Sequence, residues 1–143
     1  VEAVEAWVEK WRNLKAWGRP LEEAKICVQK DNDRGLRGWA YPCMRSLVVK
    51  AGPDIPRALN TLLHEYAHLA APATEHHGPK WRRAYSAAVA EVSGIAFEGE
   101  HLTYQDARAM GTRYMRTWFR TSGLEHVWAL ASHGATTQGN KTT

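Results

Sequence analysis

Two short stretches constrain the fold of this chain more than any others: His64-Glu65-Tyr66-Ala67-His68 and, after eight further residues, His77-Gly78-Pro79-Lys80-Trp81. Histidines four residues apart project from one face of a helix, one turn above the other. The segment around them carries the matching apolar period. With Ile55 as zero and about 100° per residue, Ile55, Leu59, Leu62, Tyr66 and Leu69 fall within about 80° of one another, whereas His64 and His68 fall at about 180° and 220°. A helix over 55–71 patterned in this way buries one face in a core and turns its histidines toward a cleft.

Two imidazoles so placed can share one tetrahedral metal ion, and a glutamate directly after the first can reach the open position as a general base. This H-E-x-x-H pattern is the zincin signature, and the ion it implies is Zn²⁺. Two candidates for the third ligand stand open. His77 lies in a loop where Gly78 allows a sharp turn into a helix begun by Pro79. Glu91, 23 residues after His68, matches the gluzincin scheme, in which the next helix returns a carboxylate. The metzincin spacing fails, because positions 71 and 74 are Ala71 and Thr74 rather than Gly and His. A closed, non-catalytic site would need a fourth protein ligand such as Glu75 or His76.

HEYAH, eight residues, then HGPKW resembles the SprT-like (Spartan-type) zinc metalloproteases, whose pattern is HExxH followed by H-G-x-x-W. The likeness covers residues 59 to about 85. Small metallohydrolases of actinobacteria and their phages are similar in size and motif. The resemblance implies a zinc metallopeptidase domain with His64, His68 and His77 as metal ligands and Glu65 as catalytic base. It also implies protein or peptide substrates and, in some members, proteolysis near DNA. The family's C-terminal four-cysteine zinc ribbon is ruled out here, since the chain has only Cys27 and Cys43. These lie eight residues to either side of Gly35, so a hairpin centred there would bring them together; the expectation is two reduced thiols.

Along the chain, Val4, Trp7, Val8, Trp11 and Leu14 predict a helix over 2–17, ended by Gly18 and Pro20. Residues 24–30, 37–43 and 45–50 read as short strands, with a turn at Asp31-Asn32-Asp33-Arg34-Gly35 that lacks the remaining ligands of a calcium loop. Asp54 is the expected N-cap of the metal helix. A helix from Pro79 to Val92 would bury Trp81, Tyr85, Ala88 and Val92. Residues 95–102 suggest a short extended piece. A last helix, capped by Thr103 with Asp106, runs through Thr121 and would bury Tyr104, Ala107, Tyr114 and Trp118. Arg113, Arg116 and Arg120 line another of its faces: a solvated face, or a phosphate-contacting stripe that Lys80, Arg82 and Arg83 could extend. Tyr85, Tyr104 and Tyr114 are the candidates for stabilising an oxyanion.

The expected architecture is α+β and minimal zincin-like: an N-terminal helix, a small three-stranded, mostly antiparallel sheet, the metal helix and two further helices. With 143 residues, 44% of them hydrophobic and 24% charged, one domain over 1–131 can bury its own core, and the polar tail 132–143 is expected to be disordered. No apolar run is long enough to span a membrane and no signal peptide is visible, so a cytoplasmic location without membrane partners is expected. The chain opens on Val1 rather than Met, which suggests that a preceding segment has been removed. A net charge of +4 admits nucleic acid as a partner beside a peptide substrate without requiring it.

Overall fold

The computed structural model describes residues 1–32, 34–72 and 76–126; the tail 132–143, Asp33 of the turn and Glu75 lie outside them. The architecture is mixed α and β: α1 (Glu2–Trp11), β1 (Lys25–Lys30), β2 (Gly38–Tyr41), β3 (Ser46–Ala51), α2 (Ile55–Ala70), α3 (Pro79–Ser93) and α4 (Tyr104–Thr121), with short 3₁₀ turns between them.

The sheet is mixed, not mostly antiparallel. Its order is β1-β3-β2, with β1 parallel to β3 from Lys25↔Ser46 to Lys30↔Ala51, and β2 antiparallel to β3 from Gly38↔Val49 to Tyr41↔Ser46. The hairpin centred on Gly35 therefore does not form, and Cys27 and Cys43 are exposed free thiols. Burial explains the choice of centre. β3 turns Leu47, Val49 and Ala51 fully inward, whereas β1 leaves Lys25, Cys27, Gln29 and Lys30 to solvent, as an edge strand can. A parallel pair needs a crossover of a dozen or more residues, and the stretch 31–45, which contains β2, supplies it.

α1 stops at Trp11, short of the expected 17. Leu14 turns extended, and a 3₁₀ turn over Lys15–Trp17 swings the Trp17 indole back so that its Nε1 donates to the Trp11 carbonyl at 2.7 Å. The carboxylate of Glu91, on α3, accepts from the backbone N–H groups of Lys15 and Ala16 at 3.0 and 2.9 Å and so caps this turn. Residues 95–102 form no strand; they carry a 3₁₀ turn over Gly99–His101.

The three long helices begin and end where local chemistry sets them. Asp54 accepts from Arg57 N–H at the start of α2, and Thr103 from Asp106 N–H at the start of α4. Gly94 closes α3 at φ 74°, a conformation that costs a glycine nothing. α2 is the central element, buried nearly all round by Leu59, Leu62, Leu63, Tyr66, Ala67 and Leu69, and its Tyr66 hydroxyl donates to the Val8 carbonyl at 2.6 Å. Each such apolar side chain contributes roughly 1.5–3 kcal/mol on burial.

The buried stripe of α4 is Ala107, Gly111, Met115 and Phe119, rotated from the expected one; Tyr104, Tyr114 and Trp118 lie at its margins, half-buried. Gly111 sets this rotation. A Cβ there would lie 2.0 Å from the Tyr85 hydroxyl oxygen, so α4 can seat against α3 only with a bare backbone at that point. Gly111→Ala would gain about 1 kcal/mol of helix propensity. The clash is with a buried hydroxyl that itself donates to Asn60 Oδ1 at 2.6 Å, and overpacking of this kind costs roughly 1–3 kcal/mol or more. The clash wins, and chemical denaturation should show Gly111→Ala less stable by about 2 kcal/mol; a variant as stable as the parent would show that α4 is not held by this contact.

Candidate metal centre

His64 and His68 stand on successive turns of α2, both half-buried. His77 returns to meet them just ahead of α3, whose N-cap is Gly78 and whose first residue is Pro79. The three side chains converge: His77 Nε2 lies 3.1 Å from His64 Nε2 and 3.1 Å from His68 Nε2. Among the described residues these three form the group of candidate metal ligands. His76 is exposed, held at φ 49° in the turn, and is not part of it. Glu91 is elsewhere, engaged as the cap of the 3₁₀ turn, which removes it as a third ligand.

The donor set fits a zinc ion. Ligand nitrogens about 2.0–2.1 Å from a tetrahedral ion lie roughly 3.3 Å from one another, close to the 3.1 Å found here. One N–H cannot point squarely at two such neighbours, whereas a single cation takes all three lone pairs. Protons do not compete for those lone pairs. Burial, then the charges of His68 and His77, holds His64 well below the ordinary histidine value. Burial first, with His77 and His76, brings His68 down to about 4, and burial foremost lowers His77 as well. Neutral imidazole is the form that binds metal.

The surrounding shell orients the ligands. The His77 ring stacks on Tyr104 at 3.9 Å and 16°. Its carbonyl accepts from Arg82 Nη1 at 2.8 Å, while Arg82 Nη2 donates to the Glu100 carbonyl at 3.3 Å, tying the ligand loop to the turn over Gly99–His101. Trp81, fully buried, donates from Nε1 to the His64 carbonyl at 3.2 Å and packs within 4.7 Å of the His64 and His77 rings. The tryptophan four residues after His77 thus packs against both ligand rings and restricts their orientation.

Glu65 is 5% exposed, and that burial pushes its carboxyl up to about 8. The β2 backbone runs directly over it. A Cβ on Gly38 would come within 3.1 Å of Glu65 Oε2 and 2.8 Å of Thr61 Cγ2, so glycine is required where the strand crosses the helix. His64, Glu65, His68 and His77 open onto a groove of about 750 Å³. Its floor is α2, one wall is β2, and the other is the face of α4 that carries Tyr104, Arg108, Thr112 and Arg116 at intervals of four.

Of the three candidate tyrosines, Tyr104 alone lines this groove; Tyr85 is buried against Asn60, and Tyr114 packs edge-on to Phe97 at 5.3 Å. The supposed arginine stripe divides. Arg116 forms a two-pronged ion pair with Asp54 at 3.1 and 2.7 Å, and Arg113 and Arg120 are exposed outside the groove. The sequence analysis does not single out Arg108 or Gly38, and it offers Arg82 as a phosphate contact, whereas Arg82 donates to the His77 and Glu100 carbonyls. Arg108 has a signal, the polar four-residue repeat from Tyr104 to Arg116; Gly38 has none.

No family model, curated protein or solved structure matches the chain. No helix among the described residues is long and apolar enough to cross a membrane.

Proposed function

We propose that this chain is a zinc-dependent peptidase, a minimal zincin-like domain of the SprT-like kind that the HEYAH and HGPKW stretches resemble. The observation that carries the reading is the convergence of three neutral imidazoles beside one buried carboxylate, at the floor of a groove walled by an unpaired strand edge. His64, His68 and His77 would hold the ion. Bound there, zinc supplies Lewis acidity, polarising a substrate carbonyl and making water a nucleophile near neutral pH.

The chain's own groups do the rest. Glu65 takes the proton from the attacking water and passes it to the departing amine. A desolvated carboxylate is a stronger base than one in water, and its burial beneath Gly38 keeps it so. The Tyr104 hydroxyl, which lines the same groove and is hydrogen-bonded to Arg108, would donate a hydrogen bond to the oxygen that gains charge. The outer edge of β2, from Gly38 through Ala40, offers main-chain donors and acceptors along which an extended peptide can lie.

The purified chain is expected to contain about one zinc ion and to cleave unfolded polypeptide; a chelator should abolish cleavage and added zinc restore it. A zinc-loaded preparation inert toward every unfolded substrate would sink the peptidase reading, and cleavage that survives complete removal of zinc would sink the role of the ion.

A further inference from the structure

We propose that the groove selects peptides carrying acidic side chains, and that Arg57 and Arg108 are the residues that read them. The inference rests on the peptidase reading and names its substrate class. Four arginines line the groove, Arg37, Arg57, Arg108 and Arg116, against a single carboxylate, Glu65. Arg37 is paired with Asp31 and Arg116 with Asp54, whereas Arg57 and Arg108 have no salt-bridge partner among the described residues. Arg57 shares its charge only at a distance with Asp54, which is already paired with Arg116, and Arg108 hydrogen-bonds the neutral Tyr104 hydroxyl. Neither guanidinium in the groove thus has a carboxylate of its own, and a carboxylate is the planar partner that fits such a fork.

The two mark different distances from the reacting centre. Arg57 precedes His64 by seven residues on α2, about 10 Å along the helix axis, a distance an extended peptide covers in about three residues. Arg108 lies one turn after Tyr104 on α4, and its charge is felt by His64, His77 and Tyr104. An acidic residue beside the scissile bond meets Arg108. A second, about three residues away toward Gly38 and the start of β2, meets Arg57. A peptide suits this layout better than nucleic acid: the facing wall is a strand edge, the two charges are isolated, and Arg113 and Arg120, which would extend a phosphate track, do not line the groove.

The test is binding of short fluorescent peptides to the zinc-loaded Glu65→Gln chain, so that it does not depend on turnover. The peptides are identical except for Glu, Gln or Lys at two positions three residues apart. The Glu peptide is expected to bind roughly tenfold tighter than the Gln peptide, the worth of charge-assisted hydrogen bonds in a partly open site, and the Lys peptide weaker than both. Adding Arg57→Gln or Arg108→Gln should each remove part of that gain and both together all of it, with the Gln peptide bound equally by every variant. Equal affinity for Glu and Gln peptides, or a gain that survives loss of both arginines, overturns the proposal. So does a single-stranded oligonucleotide that displaces the Glu peptide and outbinds it in the parent but not in the double variant, which would reassign the arginines to phosphates. If Glu peptides bind selectively yet the parent cleaves none of them, the peptidase reading fails and the preference for acidic ligands stands.

Discussion

Replacing Glu65 with Gln is expected to leave zinc and the fold in place while slowing peptide cleavage by at least about a hundredfold. Glutamine keeps the shape that fits beneath Gly38, where even one added methyl would collide, but it cannot accept a proton. The same substitution should alter stability in a way that separates it from general damage. In the metal-free chain the Glu65 carboxyl sits at about 8 because it is buried. A carboxyl whose folded value is raised favours the folded state only while protonated, so the parent loses stability as pH rises from about 4.5 toward 8. Glutamine carries no such penalty. Thermal melts of the two metal-free proteins should agree near pH 4 and diverge above it, with the Gln variant the more stable. Cleavage at the parental rate would remove Glu65 from the chemistry, and a variant that melts lower at every pH would mean that its inactivity reports damage.

His77→Ala is expected to produce the second large effect, loss of most bound zinc and with it the activity, while Glu91→Ala retains both. The contrast matters because both residues satisfy plausible spacings in the chain. His77 Nε2 is 3.1 Å from both other imidazoles, and removing one of three ligands leaves a two-point site that ordinary chelators strip. Glu91 instead caps the turn at Lys15 and Ala16, so its loss should appear as about 0.5–2 kcal/mol of stability, the usual worth of a cap. Zinc content after dialysis, read beside denaturation curves, distinguishes the two. Normal zinc in the His77 variant would overturn the ligand assignment.

How much of this was legible in the sequence follows from how local each determinant is. The three long helices were readable because their limits are written in adjacent residues: Asp54, Pro56, Gly94 and Thr103. The grouping of His64 and His68 was equally readable, since a four-residue spacing on a helix admits one geometry. α1 was overextended because what stops it is a carboxylate some 75 residues away on α3. The parallel pairing of β1 with β3 was missed because short strands choose partners by total burial, which no single strand reveals. The face of α4 was misread because glycine scores as a weak helix former, whereas Gly111 is the point of closest approach between helices. Arg113, Arg116 and Arg120 share a face by spacing alone, but which cations line the groove depends on that same rotation.

The two edges of the sheet are not equivalent, and the difference bears on how the chain behaves in a crowded solution. The β1 edge carries Lys25, Gln29 and Lys30, and lysine along an open edge discourages another chain from pairing with it. The β2 edge has no such guard. Leu36, Tyr41 and Met44, three of the four large hydrophobic side chains most exposed to solvent, cluster at its two ends. A strand edge left open with apolar side chains at its ends, where the proposed function would dock an extended polypeptide, is equally open to a misfolded neighbour or to a second copy of itself. If the proposed function holds, colloidal stability and substrate capture pull against each other at this one strand, and a lysine introduced at Leu36 or Met44 to improve solubility would act on the surface proposed to admit substrate.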